Sequence, residues 1–130
     1  MASISPVNNS RAVSLRGVTK HYGAVHAVDG VDLDIARGEI FGLIGHNGAG
    51  KSTLFKMMLG LIPATSGEIL VGGASVRGRG FRAARRHLGY LPENVVLYDN
   101  LSGLETLRFF AKLKGAPLAQ CQPALDRVGL

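Results

Sequence analysis

A chain of 130 residues with 46% hydrophobic content can bury one ordinary core, and none of its apolar runs approaches the roughly 18 residues that span a bilayer. Met1 to Asn9 lacks the basic start and apolar middle of a signal peptide, so the expected compartment is the cytoplasm. Cys121 stands alone among 15 basic and 9 acidic residues, net charge +6, which excludes an internal disulfide or a cysteine-clustered metal site and assigns that thiol to core packing.

Residues 1–10 are polar and read as a flexible leader, with order expected from Arg11 onward. Val13 and Leu15, then Val31, Leu33 and Ile35, alternate with polar neighbours, the pattern of half-buried antiparallel strands. Glu39 to Ile44 is nearly continuous in apolar residues, which predicts a central strand covered on both faces, with Phe41 and Leu43 in the core. Leu54, Met57, Met58 and Leu61 then recur at helical spacing, predicting a helix over Lys51 to Leu59 that Gly60 and Pro63 end. Short strands are expected at Glu68 to Val71 and Leu88 to Leu91, separated by Gly72-Gly73 and by Arg77, Arg79, Arg82, Arg85 and Arg86. That basic stretch holds one aromatic, Phe81, and no nucleic-acid module, so a solvated basic face is expected and nucleic acid is not.

Ser102 and Glu105 have the spacing of a capping box, predicting a helix from about Gly103 to Lys114 with Leu104, Leu107, Phe110 and Ala111 on one face. Glu105, Arg108 and Lys112 are spaced for ion pairing outside it. A final helix carries Leu118, Cys121, Leu125 and Val128, and Pro123 is expected to mark its start. His21, His26, His46 and His87 show no metal-ligand spacing.

Between the expected strand and helix stands Gly45-His46-Asn47-Gly48-Ala49-Gly50-Lys51-Ser52, a full match to the phosphate-loop pattern G-x-x-x-x-G-K-S/T. Gly45, Gly48 and Gly50 permit backbone conformations in which successive N–H groups turn inward around phosphate oxygens. The helix that follows aims its unpaired N–H donors and partial positive charge at the same anion. Lys51 adds a full charge for the β and γ phosphates, Ser52 a hydroxyl for Mg2+, and Thr53 a donor for the α phosphate. The loop therefore predicts a nucleoside triphosphate bound together with Mg2+.

The order of motifs from Val13 to Leu130 resembles the ATP-binding subunit of ABC transporters. Lys20-His21-Tyr22-Gly23 looks like the family's aromatic loop, which implies that Tyr22 stacks on adenine. Gly38 to Gly45 with Gly67 to Leu70 looks like the family's core, and Gly89-Tyr90-Leu91-Pro92-Glu93 occupies the place of its Q-loop. There the family mostly has glutamine, implied to ligate Mg2+ and couple the site to a membrane subunit; here the residue is Glu93, still an oxygen ligand but charged. The resemblance implies an α/β P-loop NTPase fold of ABC type, with an antiparallel β subdomain and part of a helical subdomain. It also implies a membrane-spanning permease and a second ATP-binding subunit as partners, and a peripheral position on the inner face of the cell membrane. Gly89 to Val95 and the Leu97 to Gly115 stretch look most like the NosF group, whose members support copper-site maturation of nitrous oxide reductase.

The family's signature motif, its Asp-Glu strand and its switch histidine have no counterpart in the 130 residues. Leu101-Ser102-Gly103 begins like the signature, but Leu104 and Glu105 follow and the helix cap accounts for it. The expectation is that residues 11–130 are the N-terminal part of an ABC ATP-binding domain with an incomplete core sheet. Such a piece would bind ATP through Lys51 and Ser52 without turning it over. A soluble ABC ATPase acting on nucleic acid and a non-enzymatic nucleotide-binding fragment are the alternatives.

Overall fold

The computed structural model describes residues 11–130; the expected leader, residues 1–10, lies outside them. The chain forms two compact units, one ending at Leu88 and one running from Gly89 to Leu130.

The first unit is built on a four-stranded antiparallel sheet in the order β2-β1-β3-β4. Strand β1 spans Arg11–Tyr22, β2 spans Val25–Ala36, β3 spans Ser66–Val71 and β4 spans Ala74–Ser75. Alternation buries one face: Leu15 and Val18 are fully buried, and Ile69 and Val71 nearly so. Leu15 and Val18 are three residues apart yet share that face because the register shifts between them, where Gly17 takes a positive φ of 54°. An extra residue in one strand reverses the in-out parity beyond it. The Gly17 N–H that this frees donates to Asp32 Oδ1 at 2.7 Å. Arg16 Nη2 donates to both carboxylate oxygens of Asp34, at 2.9 and 2.7 Å, and holds that carboxyl below its usual range, with Arg11 assisting.

Helix α1, Lys51–Met58, packs Leu54 and Met57 onto the sheet. It stops with the Gly60 N–H on the Met57 carbonyl and the Leu61 N–H on the Lys56 carbonyl, each 2.9 Å, a pairing that satisfies the last helical carbonyls. Leu61 therefore falls outside the helix, and is 54% exposed. A short helix α2, Phe81–Ala84, not anticipated from sequence, closes the core with buried Phe81.

Two expected strands do not form. Glu39 to Ile44 has no regular structure, and Ile40 and Ile44 are 100% and 96% exposed. Phe41 is exposed too, while Leu43 does reach the core. No strand among the described residues pairs with this run, and without ladder partners apolar residues cannot hold an extended segment in a sheet. Leu88 to Leu91 is likewise irregular, with Leu88 alone packed against the core.

In the second unit α3 spans Gly103–Lys114 with the expected capping box complete. The Ser102 N–H donates to Glu105 at 2.8 Å and the Glu105 N–H to Ser102 Oγ at 3.3 Å. The Ser102 N–H, joined by the Ser102 hydroxyl at 2.7 Å, holds the Glu105 carboxyl below its ordinary value, and the charge of Arg108 adds to the effect. Leu104, Leu107 and Ala111 are half-buried, but Phe110 is exposed and meets the Phe109 ring edge-on instead. Helix α4 spans Cys121–Asp126, two residues earlier in start than Pro123 implied. Proline there is still in the first turn, where its missing N–H has no helical partner to lose. Cys121 is buried, as its packing role requires.

Candidate phosphate-binding site

The loop from Gly45 to Gly50 leads directly into α1. Its chain turns back through the Ala49 N–H on the His46 carbonyl at 3.2 Å, and the helix begins with the Leu54 N–H on Gly50 O at 2.9 Å. Gly48 and Gly50 have φ of 84° and 81°, in the left-handed region that residues with a Cβ avoid. Gly50 is constrained a second time, because a Cβ there would lie 2.0 Å from the Ala27 carbonyl oxygen of β2. The edge of the antiparallel sheet thus presses on the loop, a contact that no local sequence signal reports.

The N-terminus of α1 has no side-chain cap and no acidic residue in its first turn. Helices ordinarily satisfy those first N–H groups with a Ser, Thr, Asp or Asn side chain. Leaving them open beside a lysine suits an anion. Lys51 folds over the loop, its ammonium donating to the carbonyls of Gly45 at 2.5 Å and His46 at 2.7 Å. One proton of the three remains for another acceptor. His46 turns its Nδ1 to the Asn47 carbonyl, 2.8 Å away, Ser52 is exposed, and Thr53 half-buried. A cavity of about 360 Å³ lies beside the loop, between β2 and the unpaired run, with Val31, Leu33, Phe41 and Leu43 facing Gly50 and Lys51.

Tyr22 ends β1 in the same unit and is 52% exposed. Lys20 Nζ sits 4.9 Å over its ring and also donates to the Pro63 carbonyl at 2.8 Å, so the ring is steadied while remaining open to stacking. Glu93 belongs to the second unit, exposed in an irregular stretch. Of the arginine stretch, Arg77 donates to the Ala64 carbonyl and Arg85 lies 5.9 Å from the Phe81 ring centre, so two of the five are engaged within the fold.

A glycine-bearing loop opening a helix beneath a small antiparallel sheet defines the class: a P-loop nucleoside triphosphatase fold of the ABC ATP-binding type. The family model for ABC transporters matches residues 28–130, and the chain belongs to that family. It is 47% identical over 103 residues to the probable multidrug ABC transporter ATP-binding protein YbhF of Escherichia coli, covering 79% of this chain and 18% of that protein. It is 41% identical to the linearmycin resistance ATP-binding protein LnrL of Bacillus subtilis, covering 87% and 37%. A solved ATP-binding subunit of an ABC transporter superposes with a TM-score of 0.73 at 35% identity, covering 84% of this chain and 45% of that one. A second solved structure, a dimeric ATP-binding cassette with ADP and Pi, shares the fold at TM-score 0.73 and 24% identity. The chain thus spans 18% and 37% of the two relatives named and 45% and 56% of the two solved structures.

Proposed function

We propose that residues 11–130 form the N-terminal part of an ABC ATP-binding domain that binds ATP with Mg2+ at the Gly45–Thr53 loop. The uncapped, acid-free start of α1 beside Lys51 carries this reading. Backbone N–H groups from Gly45 to Gly50 would surround the β and γ phosphates, with Lys51 supplying the charge and Thr53 a hydroxyl donor. The Ser52 hydroxyl is a hard oxygen donor of the kind Mg2+ takes, and Tyr22 offers a π face to adenine. Glu93, in the second unit, stands at the position that the resemblance gives to an oxygen ligand of Mg2+ and to the link with a membrane partner. Mg2+ would neutralise charge on the phosphates, and this chain's residues would bind and orient the nucleotide.

In the whole protein this domain would pair with a second ATP-binding subunit and drive a permease from the inner face of the membrane. No helix among the described residues is long and apolar enough to cross a membrane. No residue of this chain is assigned to activating water, and on this reading the chain by itself would bind ATP without hydrolysing it. The resemblance over Gly89 to Gly115 supports a narrower role in copper-site maturation of nitrous oxide reductase, while YbhF and LnrL are named for other transport roles. A strain lacking the maturation ATPase would test that role, regaining copper-loaded reductase only when the full-length protein has Lys51 intact.

The site itself is tested by titrating a fluorescent ATP analogue with Mg2+. Lys51→Ala removes charge-assisted bonds worth about 1.5–3 kcal/mol and should weaken binding at least about tenfold. Unchanged affinity would move the phosphate site elsewhere.

A further inference from the structure

The four histidines are spaced in the chain without any ligand pattern, yet the fold brings two of them together. His21 and His26 are register partners next to the β1–β2 turn, and directly opposed residues of an antiparallel pair project to one face. Their rings stack with centroids 3.9 Å apart and an 18° tilt. The turn is Gly23-Ala24, with φ of 58° at Gly23 and no positive φ at any described non-glycine residue; a positive φ at the first central position alone matches a II′ hairpin, which fixes the register. One step on β1, His21 to Lys20, answers two on β2, His26 to Val28. Ala27 is therefore an extra, bulged residue, and beyond it Asp29 returns to the histidines' side. The ligand atoms of His21, His26 and Asp29 all lie within 4.8 Å of one another.

A second observation points to a ligand. His21 Nε2 is buried without a hydrogen-bond partner, although the same residue's backbone N–H is satisfied by Thr65 Oγ1 at 3.0 Å. A buried, unpartnered ring nitrogen is costly, and native structures rarely tolerate one without a reason. A metal ion satisfies an imidazole lone pair as fully as a proton donor does.

We propose that His21, His26 and Asp29 bind a divalent transition-metal ion of zinc's class at the base of the β1–β2 hairpin. Two imidazoles and a carboxylate are the donors such borderline ions accept, leaving a fourth position for water. Ligand distances of about 2.0–2.2 Å require the three donor atoms to close slightly. The stacked rings must also splay so that their lone pairs converge, and the exposed side chains of His26 and Asp29 are free to make that adjustment. The ion would brace the hairpin that carries Tyr22 and whose bulged Ala27 rests against Gly50. The site stands on the hairpin geometry alone and does not depend on nucleotide binding.

The test uses the 130-residue chain stripped with a chelator and titrated with Zn2+ at neutral pH against a chromophoric competitor. One equivalent should bind, His26→Ala should weaken it by more than about tenfold, and Asp29→Asn should weaken it severalfold. His46→Ala, His87→Ala and Lys51→Ala should leave it unchanged, which separates this site from the phosphate loop. In the wild-type chain the ring resonances of His21 and His26 should shift with Zn2+ while those of His46 and His87 stay, a reading that requires no variant to fold. Absence of a stoichiometric site, equal affinity in both His26→Ala and Asp29→Asn, or shifts confined to His46 and His87 would overturn the proposal.

Discussion

The β1–β2 hairpin and the run from Glu39 to Ile44 are adjacent in the chain, and both are rich in apolar and β-branched residues. In the hairpin, Leu15, Val18 and Val28 are buried and a ladder of cross-strand partners holds the segment extended. In the run, residues of equal apolar character stand in the open, Ile40 and Ile44 almost completely so. What separates them is partnership. The hairpin carries its own partner across a two-residue turn, whereas a central strand must wait for neighbours distant in sequence. Apolar content states which residues favour burial; it does not supply the backbone groups that a strand must bond.

The largest effect expected concerns that contrast directly. Leu15→Ala should cost about 2–5 kcal/mol in urea unfolding of this chain, while Ile40→Ala and Ile44→Ala should each stay within about 0.5 kcal/mol. Equal losses at Leu15 and Ile40 would break the comparison, showing the run to be packed in solution. Next in size is the point where the hairpin touches the phosphate loop. Gly50→Ala forces a Cβ into the left-handed region at about 1–3 kcal/mol and drives it onto the Ala27 carbonyl. Gly48→Ala has a similar φ but open space around it, so it should cost less. Equal melting temperatures for the two variants would remove the sheet edge from the account of the loop.

The smallest effect lies in the second unit, where Ser102→Ala should cost about 1 kcal/mol by uncapping α3. Because the folded Glu105 carboxyl sits below its ordinary value of 4.5, its contribution is full above that pH and fades as pH falls through the lower, folded value. Asp34, lowered by Arg16 and exposed, adds in the same direction and is weakened by salt. Acid titration of α3 helicity should therefore be shallower in Ser102→Ala than in the parent chain. Parallel curves would detach the cap from the pH response.

Where one stretch of chain carries the whole of the physics, the structure matches the reading of the residues. The capping box at Ser102 and Glu105, the two long alternating strands and the phosphate loop running into α1 each depend on neighbours within about a turn or a hairpin. The misplaced elements depend on something further away. Leu88 to Leu91 and Glu39 to Ile44 needed partners in a sheet, α2 is held by burial of Phe81, and α4 starts before Pro123 because a first turn has no use for that N–H. His21, His26 and Asp29 went unseen because ligand patterns count residues along one element, while this cluster is assembled across a turn and through a bulge.

By itself the sequence determined the local chemistry of this protein: which residues can line a phosphate, cap a helix, or alternate along a strand. Glycine conformations, proline's missing N–H and side-chain periodicity act over a few residues and need no fold to be read. Only the tertiary structure decided which apolar segments found partners, that Ala27 presses on Gly50, and that two histidines and an aspartate share one face. Those are matters of register and parity, where a single extra residue moves every side chain beyond it to the other side of the sheet.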